Sequence, residues 1–213
     1  MSFCEENRFQ PKLICNKGDI LLSEIKNCNY NTRSYNLAFT IPNIDNSVTN
    51  INNLTSLEIY NLLEKQNNDI IEKIVIINEL DNKADICILI NHVAKEIGIK
   101  QKYMLFRTTK IVNKFNNSVT FYNKDLKLIS EQLKEDYLKQ LNFINSDCEA
   151  VIYNYGKTQI NVQKDDNGFM SVKFNIDLQV IINDNLPLYM ENLIGLMLKK
   201  MFYNLKNSYN VNG

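Results

Sequence analysis

The sequence predicts an α+β fold: a curved, mainly antiparallel sheet packed against a long C-terminal helix, with additional helices before it. Three observations carry that reading. From Met170 to Ile182 every even position is apolar (Met170, Val172, Phe174, Ile176, Leu178, Val180, Ile182), while Ser171, Lys173, Asn175, Asp177 and Gln179 are polar. Such alternation describes a strand with one face on a core and the other in water. Next, Asn183-Asp184-Asn185 breaks the pattern, Pro187 stands where a first helical turn tolerates it, and Leu188 to Tyr209 reads as helix. Finally, most strand-like segments meet through short turns rather than helices, which favours antiparallel pairing.

The other elements follow in order. Leu13-Ile14-Cys15 and Ile20-Leu21-Leu22 have the composition of short strands, and Tyr35 to Ile41 that of a better one. Asn43 to Asn53 is polar and Asn-rich, as a loop would be. Thr55 and Glu58 have capping-box spacing ahead of Leu57, Tyr60 and Leu63 at helical intervals. Ile70 to Ile77 is rich in β-branched residues and suits a buried strand. Ile86, Leu89, Ile90, Val93, Ala94 and Ile97 fall on one helical face, with Gly98 where a C-terminal cap belongs. Tyr103 to Val112 and Ser118 to Tyr122 form a hairpin around Asn116-Asn117, and Leu126, Ile129, Leu133, Tyr137, Leu138 and Leu141 mark a further helix. Glu149 to Tyr155 and Thr158 to Val162 read as strands around Gly156, and Asp165-Asp166-Asn167-Gly168 as a turn into the long strand. Residues 1–50 are expected to be irregular and strand-poor, and residues 51–213 to form one α+β domain.

Composition excludes several classes of function. The 45% apolar and 23% charged fractions are those of an ordinary soluble chain, and its length allows burial of roughly 70% of the unfolded surface. About one residue in six is Asn, and only three arginines (8, 33, 107) stand among the 24 basic side chains. Crowding of Asn, Lys and Ile is the mark of an AT-rich coding genome, of the kind found in parasites, low-GC bacteria or large DNA viruses. The 24 basic and 24 acidic side chains cancel, so the basic footprint that nucleic-acid binding requires is missing. Cysteines 4, 15, 28, 87 and 148 form no C-x-x-C pair, which argues against zinc ribbons and redox motifs and for reduced thiols in a cytoplasmic or other intracellular compartment. The N-terminus lacks the basic and apolar regions of a signal peptide, and no run of 18 apolar residues occurs.

No catalytic motif survives a residue-by-residue reading. Gly156-Lys157-Thr158 resembles the end of a phosphate loop, yet position 151 is Val where the loop needs Gly; a hairpin turn accounts for it. His92, the one histidine, lies off the apolar stripe of the expected 86–97 helix, as a solvated or hydrogen-bonded structural residue would. Glu131, Glu135 and Asp136 alternate with Lys127, Lys134 and Lys139 as a solvated helix face does. Asp165-Asp166 lacks the further carboxylates of a calcium loop. No metal and no cofactor is expected.

The C-terminal helix is the best functional candidate. Its apolar stripe is wider than one sheet face needs, and Met190, Met197 and Met201 fall near one side. Gly195 costs about 1 kcal/mol in mid-helix, which a close approach by another group would explain. The helix is either a buried core element or the roof of an apolar cavity or partner site.

The long alternating strand, the Leu186-Pro187 pair and the apolar C-terminal helix together resemble the START/Bet v 1-like helix-grip superfamily, over roughly residues 148–209. The resemblance implies a curved antiparallel sheet wrapped around the last helix. It also implies a cavity between them for lipids, sterols or other hydrophobic ligands. It brings no catalytic residue, because the superfamily has no fixed ones. Family members usually open with a strand and two short helices, whereas three separate helical stretches are expected here before residue 145.

The expected function is therefore a non-enzymatic binding protein with an apolar pocket between the last strand and the C-terminal helix. Phe174, Ile176, Leu178, Met190, Leu193, Met197 and Met201 are the expected lining, and a hydrophobic or lipid-like molecule the expected ligand. The alternative is an interaction or assembly protein, viral or parasite-specific, that docks the same helix on another copy or another chain. A nucleic-acid-associated factor is a third reading, disfavoured by charge.

Overall fold

The computed structural model of the chain describes residues 12–17, 19–26, 32–44, 48–92, 100–164, 169–181 and 188–210. Strands β1 (Lys12–Lys17), β2 (Ile20–Lys26) and β3 (Thr32–Ile44) come first, then helices α1 (Val48–Thr55) and α2 (Glu58–Gln66). Strands β4 (Ile71–Leu80), β5 (Lys83–Ile90), β6 (Gln101–Asn113) and β7 (Ser118–Asp125) precede a 3₁₀ turn (Leu126–Leu128) and helix α3 (Glu131–Gln140). There follow β8 (Cys148–Ala150), β9 (Ile152–Lys164), β10 (Met170–Ile181) and helix α4 (Leu188–Asn210).

All ten strands among the described residues join one curved sheet in the order β1-β2-β3-β10-β9-β7-β6-β5-β4, with β8 beside β6. Every pairing is antiparallel except that of β8, which takes the Gln101–Tyr103 stretch of β6 beyond the reach of β7. The alternating strand β10 lies between β3 and β9, and its even positions do what their pattern requires. Phe174 stands opposite Phe39 on one side and Ile160 on the other, Ile176 opposite Leu37 and Thr158, Leu178 opposite Tyr35 and Gly156. Phe174, Ile176 and Leu178 share one inner face with Met201, Phe202 and Leu205 of α4 in the main hydrophobic cluster. Helix α2 covers the same face nearer β4, through buried Ile59, Tyr60 and Leu63.

The outer face of β5 and β6 carries a second, smaller core. Cys87, Leu89, Tyr103 and Leu105 meet Leu126, Tyr137 and Leu141 there. Ser130 caps α3 by accepting from the Leu133 N–H at 3.3 Å. The two cores explain the main departure from the sequence reading. Residues 86–90 belong to strand β5 rather than to a helix, and Val93, Ala94 and Ile97 lie outside the described residues. With helix on both faces of β5, seven of its eight residues are buried, so no polar alternation marks it as a strand. Its apolar residues then meet a helical spacing by coincidence.

Four smaller corrections have local causes. The first fifty residues are not strand-poor: β1, β2 and β3 lie there, and β3 runs on to Ile44 through what reads as loop. Gly156 is not a hairpin turn but lies within continuous β9, opposite Leu178 and Asn123. A Cβ there would come within 2.0 Å of the Tyr153 hydroxyl oxygen, so any other residue would force that ring to shift. Thr55 does not form a capping box; its hydroxyl donates to the Ile51 carbonyl at the end of α1, and Ser56 Oγ accepts from the Glu58 N–H. The expected hairpin between β6 and β7 is present, with Asn117 at a positive φ of 47°. The turn at 165–168 and the Leu186-Pro187 pair lie outside the described residues.

Candidate ligand-binding site

Phe174, Ile176, Leu178 and Met201 are buried together on the inner face, and Met197 packs half-buried against the same cluster. Met190 and Leu193 lie in α4, but their side chains are outside the described set. Three rings form the centre of this patch. Phe39 and Phe174 stack with centroids 4.7 Å apart and planes 4° from parallel, and Phe202 tilts against them at 5.7 and 6.5 Å. An offset aromatic cluster of this kind adds about 0.5–1.5 kcal/mol per pair beyond the area it buries.

Helix α4 is seated by contacts that fix its height over the sheet. Gly195 lets the Tyr35 ring approach so closely that a Cβ would stand 2.9 Å from Tyr35 Cε1. The close approach expected at that glycine is therefore made by an aromatic ring of β3. The side chain of Asn67, fully buried at the end of α2, donates to the carbonyls of Leu63 and Met201 and accepts from the Asn204 amide. A buried amide with all these groups satisfied locks two helices together in one register.

Beside the apolar patch lies a polar cluster that sequence reading missed. Tyr60 of α2 donates its hydroxyl toward Asn123 Oδ1 at 3.3 Å and Thr108 Oγ1 at 3.5 Å. Tyr153 stacks on Phe106 at 5.3 Å, and Asp125 accepts from the Tyr153 N–H at 3.0 Å. Thr108, Asn123 and Asp125 are all buried. Burial pushes the Tyr60 hydroxyl up to about 12, opposed by its hydrogen bonds to Thr108 and Asn123, and burial likewise raises Tyr153. Both phenols stay protonated at neutral pH, and that of Tyr60 acts as a neutral donor, not as a base. The signal in the sequence was a polar residue at an inward strand position, Thr108 on β6 and Asn123 on β7, which is readable only once the register is known.

The remaining candidates keep structural roles. Glu131 and Glu135 are exposed on α3, and Asp136 accepts from Gln132 and pairs with Lys139 at 3.8 Å. His92 lies half-buried just past β5. Among the described residues no group of three His, Cys, Asp or Glu side chains could hold a metal ion, and no helix is long and apolar enough to cross a membrane. A surface concavity of about 410 Å³ opens where β3 runs past β2, lined by Asp19, Ala38, Phe39, Thr40, Pro42, Lys173 and Lys206. It shares none of the seven expected lining residues.

Comparison with known proteins gives the fold its family likeness. No family model matches the sequence, and no curated protein is similar to it at a significant level. Solved structures do match. The human StAR-related lipid transfer protein 5 superposes with a TM-score of 0.65 over 94% of this chain and 86% of its own, at 8% identity. The lipid transfer and protein localization domain of human StarD13 gives 0.63 over 94% and 89%, at 10% identity. A STAR-related lipid transfer protein fragment from Xanthomonas axonopodis gives 0.61 over 94% and 98%, at 9% identity. The chain therefore has a helix-grip fold, and the likeness extends over nearly the whole chain rather than over residues 148–209 alone.

Proposed function

We propose that this chain is a non-enzymatic binding protein whose hydrophobic or lipid-like ligand lies between β10 and α4. The observation that carries the reading is the inner face itself. Apolar and aromatic side chains of β3 and β10 are closed over by the methionine-bearing helix α4, in a fold shared with proteins named for lipid transfer. Phe174, Ile176, Leu178, Met190, Leu193, Met197 and Met201 form the apolar wall, and burial of the ligand there supplies affinity at about 25 cal/mol per Å² of apolar surface. The hydroxyls and amide of Tyr60, Thr108 and Asn123 provide the few polar groups that orient it. Methionines suit such a wall because the unbranched thioether adapts to irregular shapes. The protein acts in a reducing intracellular compartment, where Cys15, Cys87 and Cys148, which form no disulfide, stay as thiols.

The test is mass spectrometry of the natively purified protein under native and then denaturing conditions. A stoichiometric small molecule released on denaturation supports the proposal. Leu193→Trp, which fills the proposed cavity, should abolish uptake of a fluorescent fatty-acid probe while the circular dichroism stays native. Unchanged uptake in that variant overturns it.

A second reading has one observation in its favour. Leu196 and Tyr203, seven residues apart on α4, are both exposed, so the outward side of the helix offers an apolar edge to another chain. A mass that grows with concentration would support it, and a strict monomer at micromolar concentration would count against it.

A further inference from the structure

Away from the proposed pocket, edge strand β1 meets α4 at a pair of side chains with chemistry of its own. Lys199 is buried at 8% exposure, and its Nζ lies 2.9 Å from the Cys15 sulfur. Two independent features produce this contact. Neighbouring side chains in a regular strand point to opposite faces, so an inward Ile14 would turn Cys15 outward. The pairing of β1 with β2 slips between Leu13 and Cys15, and both Ile14 and Cys15 are half-buried, Ile14 against the main cluster. A bulge of this kind re-aims a side chain, and here it turns the thiol to the helix. The second feature is the lysine. A buried ammonium needs an opposite charge or a strong acceptor, and among the described residues the Cys15 sulfur is the acceptor it reaches.

We propose that Cys15 and Lys199 form a thiolate–ammonium pair and that Cys15 is a site of oxidation by hydrogen peroxide. The ammonium favours the thiolate, which is the nucleophilic form. The sulfur attacks one peroxide oxygen, an S–O bond forms and the O–O bond breaks. The sulfur loses two electrons and becomes a sulfenic acid, and the departing hydroxide takes a proton from the Lys199 ammonium and leaves as water. Partial exposure of Cys15 admits so small an oxidant. The other described thiols lack this arrangement. Cys87 is pushed up to about 12, chiefly by burial, and the Cys148 sulfur faces the neutral amide oxygens of Gln101 and Asn145.

The experiment treats the intact protein with a limiting amount of hydrogen peroxide in the presence of dimedone, and quantifies each cysteine's adduct by peptide mass spectrometry. At pH 7, Cys15 is expected to label about tenfold faster than Cys148, with Cys87 silent. Lys199→Met should bring Cys15 down to the Cys148 rate, whereas Lys199→Arg should preserve it. Equal labelling of Cys15 and Cys148 in the unaltered chain overturns the proposal, as does a Cys15 rate untouched by Lys199→Met. If the methionine variant fails to fold, the unaltered protein decides alone. Iodoacetamide alkylation at pH 7 should modify Cys15 about tenfold faster than Cys148, and equal rates overturn the pair.

Discussion

Tyr35 fills the space that a side chain at position 195 would need: a Cβ on Gly195 would stand 2.9 Å from Tyr35 Cε1 and 3.1 Å from Cδ1. The ring is buried, so a side chain at 195 would force it to shift within a packed core. Alanine in a helix interior is worth about 1 kcal/mol over glycine, while overpacking of a tight contact costs about 1–3 kcal/mol. Gly195→Ala should therefore fail to stabilise the protein in urea denaturation, the net loss reaching up to about 2 kcal/mol. In a Tyr35→Leu background the same change should be neutral or stabilising. A stabilising Gly195→Ala in the unaltered chain would show that the ring does not set the height of α4.

The stacked pair of Phe39 and Phe174 joins strands from opposite ends of the sequence. Phe174→Ala should cost about 3–5 kcal/mol, read as a fall of roughly 6–20 °C in the thermal midpoint for a chain of this size. Phe174→Leu, which keeps much of the volume, should cost less than half of that. Equal losses from the two changes would mean that collapse of the site, and not cavity formation, governs the effect.

On the outer face, buried Asp85 binds Arg107 through two hydrogen bonds of 2.7 and 2.8 Å and accepts from the Tyr137 hydroxyl at 2.9 Å. The Asn78 amide donates to that same hydroxyl at 3.1 Å. This network ties α3 to β5 and β6. Arg107 is partly solvated, so its loss of a partner is softened by water. Asp85→Ala should cost about 2–3 kcal/mol and Tyr137→Phe about 1 kcal/mol. Amide exchange should quicken in α3 and remain unchanged in α4. Uniform acceleration across both helices would refute a local role.

Alkaline pH should destabilise the fold in a defined window. Burial raises Cys87 from 9.0 and Tyr60 from 10.0, both to about 12. As pH rises past 9 and then 10, the unfolded chain releases these protons while the folded chain keeps them, so the unfolded state binds fewer and stability falls. The full contribution is present below pH 9 and is lost by about pH 12. Each group adds a slope of about 1.4 kcal/mol per pH unit within its own window. Cys87→Ala should flatten the decline between pH 9 and 12 and Tyr60→Phe between pH 10 and 12, measured by denaturant midpoint. An identical decline in both variants would leave burial of these groups without effect.

The sheet, its antiparallel pairing and its covering helix are legible in the sequence wherever a strand has one wet face. Strand β10 is the clearest case: every second residue reports which side it faces. Strand β5 is the opposite case, buried on both sides by the inner core and by α3, so its apolar run carries no period of two and imitates a helix. Gly156 misleads for another reason. Its meaning is the Tyr153 hydroxyl that overlies it, a contact made possible by the register slip at Gln179 and Val180. The buried inward face of β10 followed from alternation alone. The polar cluster could not, because Tyr60, Thr108, Asn123 and Tyr153 converge from one helix and three strands that only the tertiary fold brings together.

The adjacency of β3 and β10 also dictates an order of events during synthesis. Strands β1 to β3 can pair with each other early, but the inner edge of β3 gains its neighbour only after residues 170–181 have left the ribosome. Until then the nascent chain presents Tyr35 to Ile41 as an open, apolar strand edge, the kind of surface that recruits wrong partners. Long-range closure of this sort is slow, because the loop entropy must be met before the contacts reward it. Helix α4 follows in sequence, so the apolar face of these strands is covered only after their edge has been closed by β10.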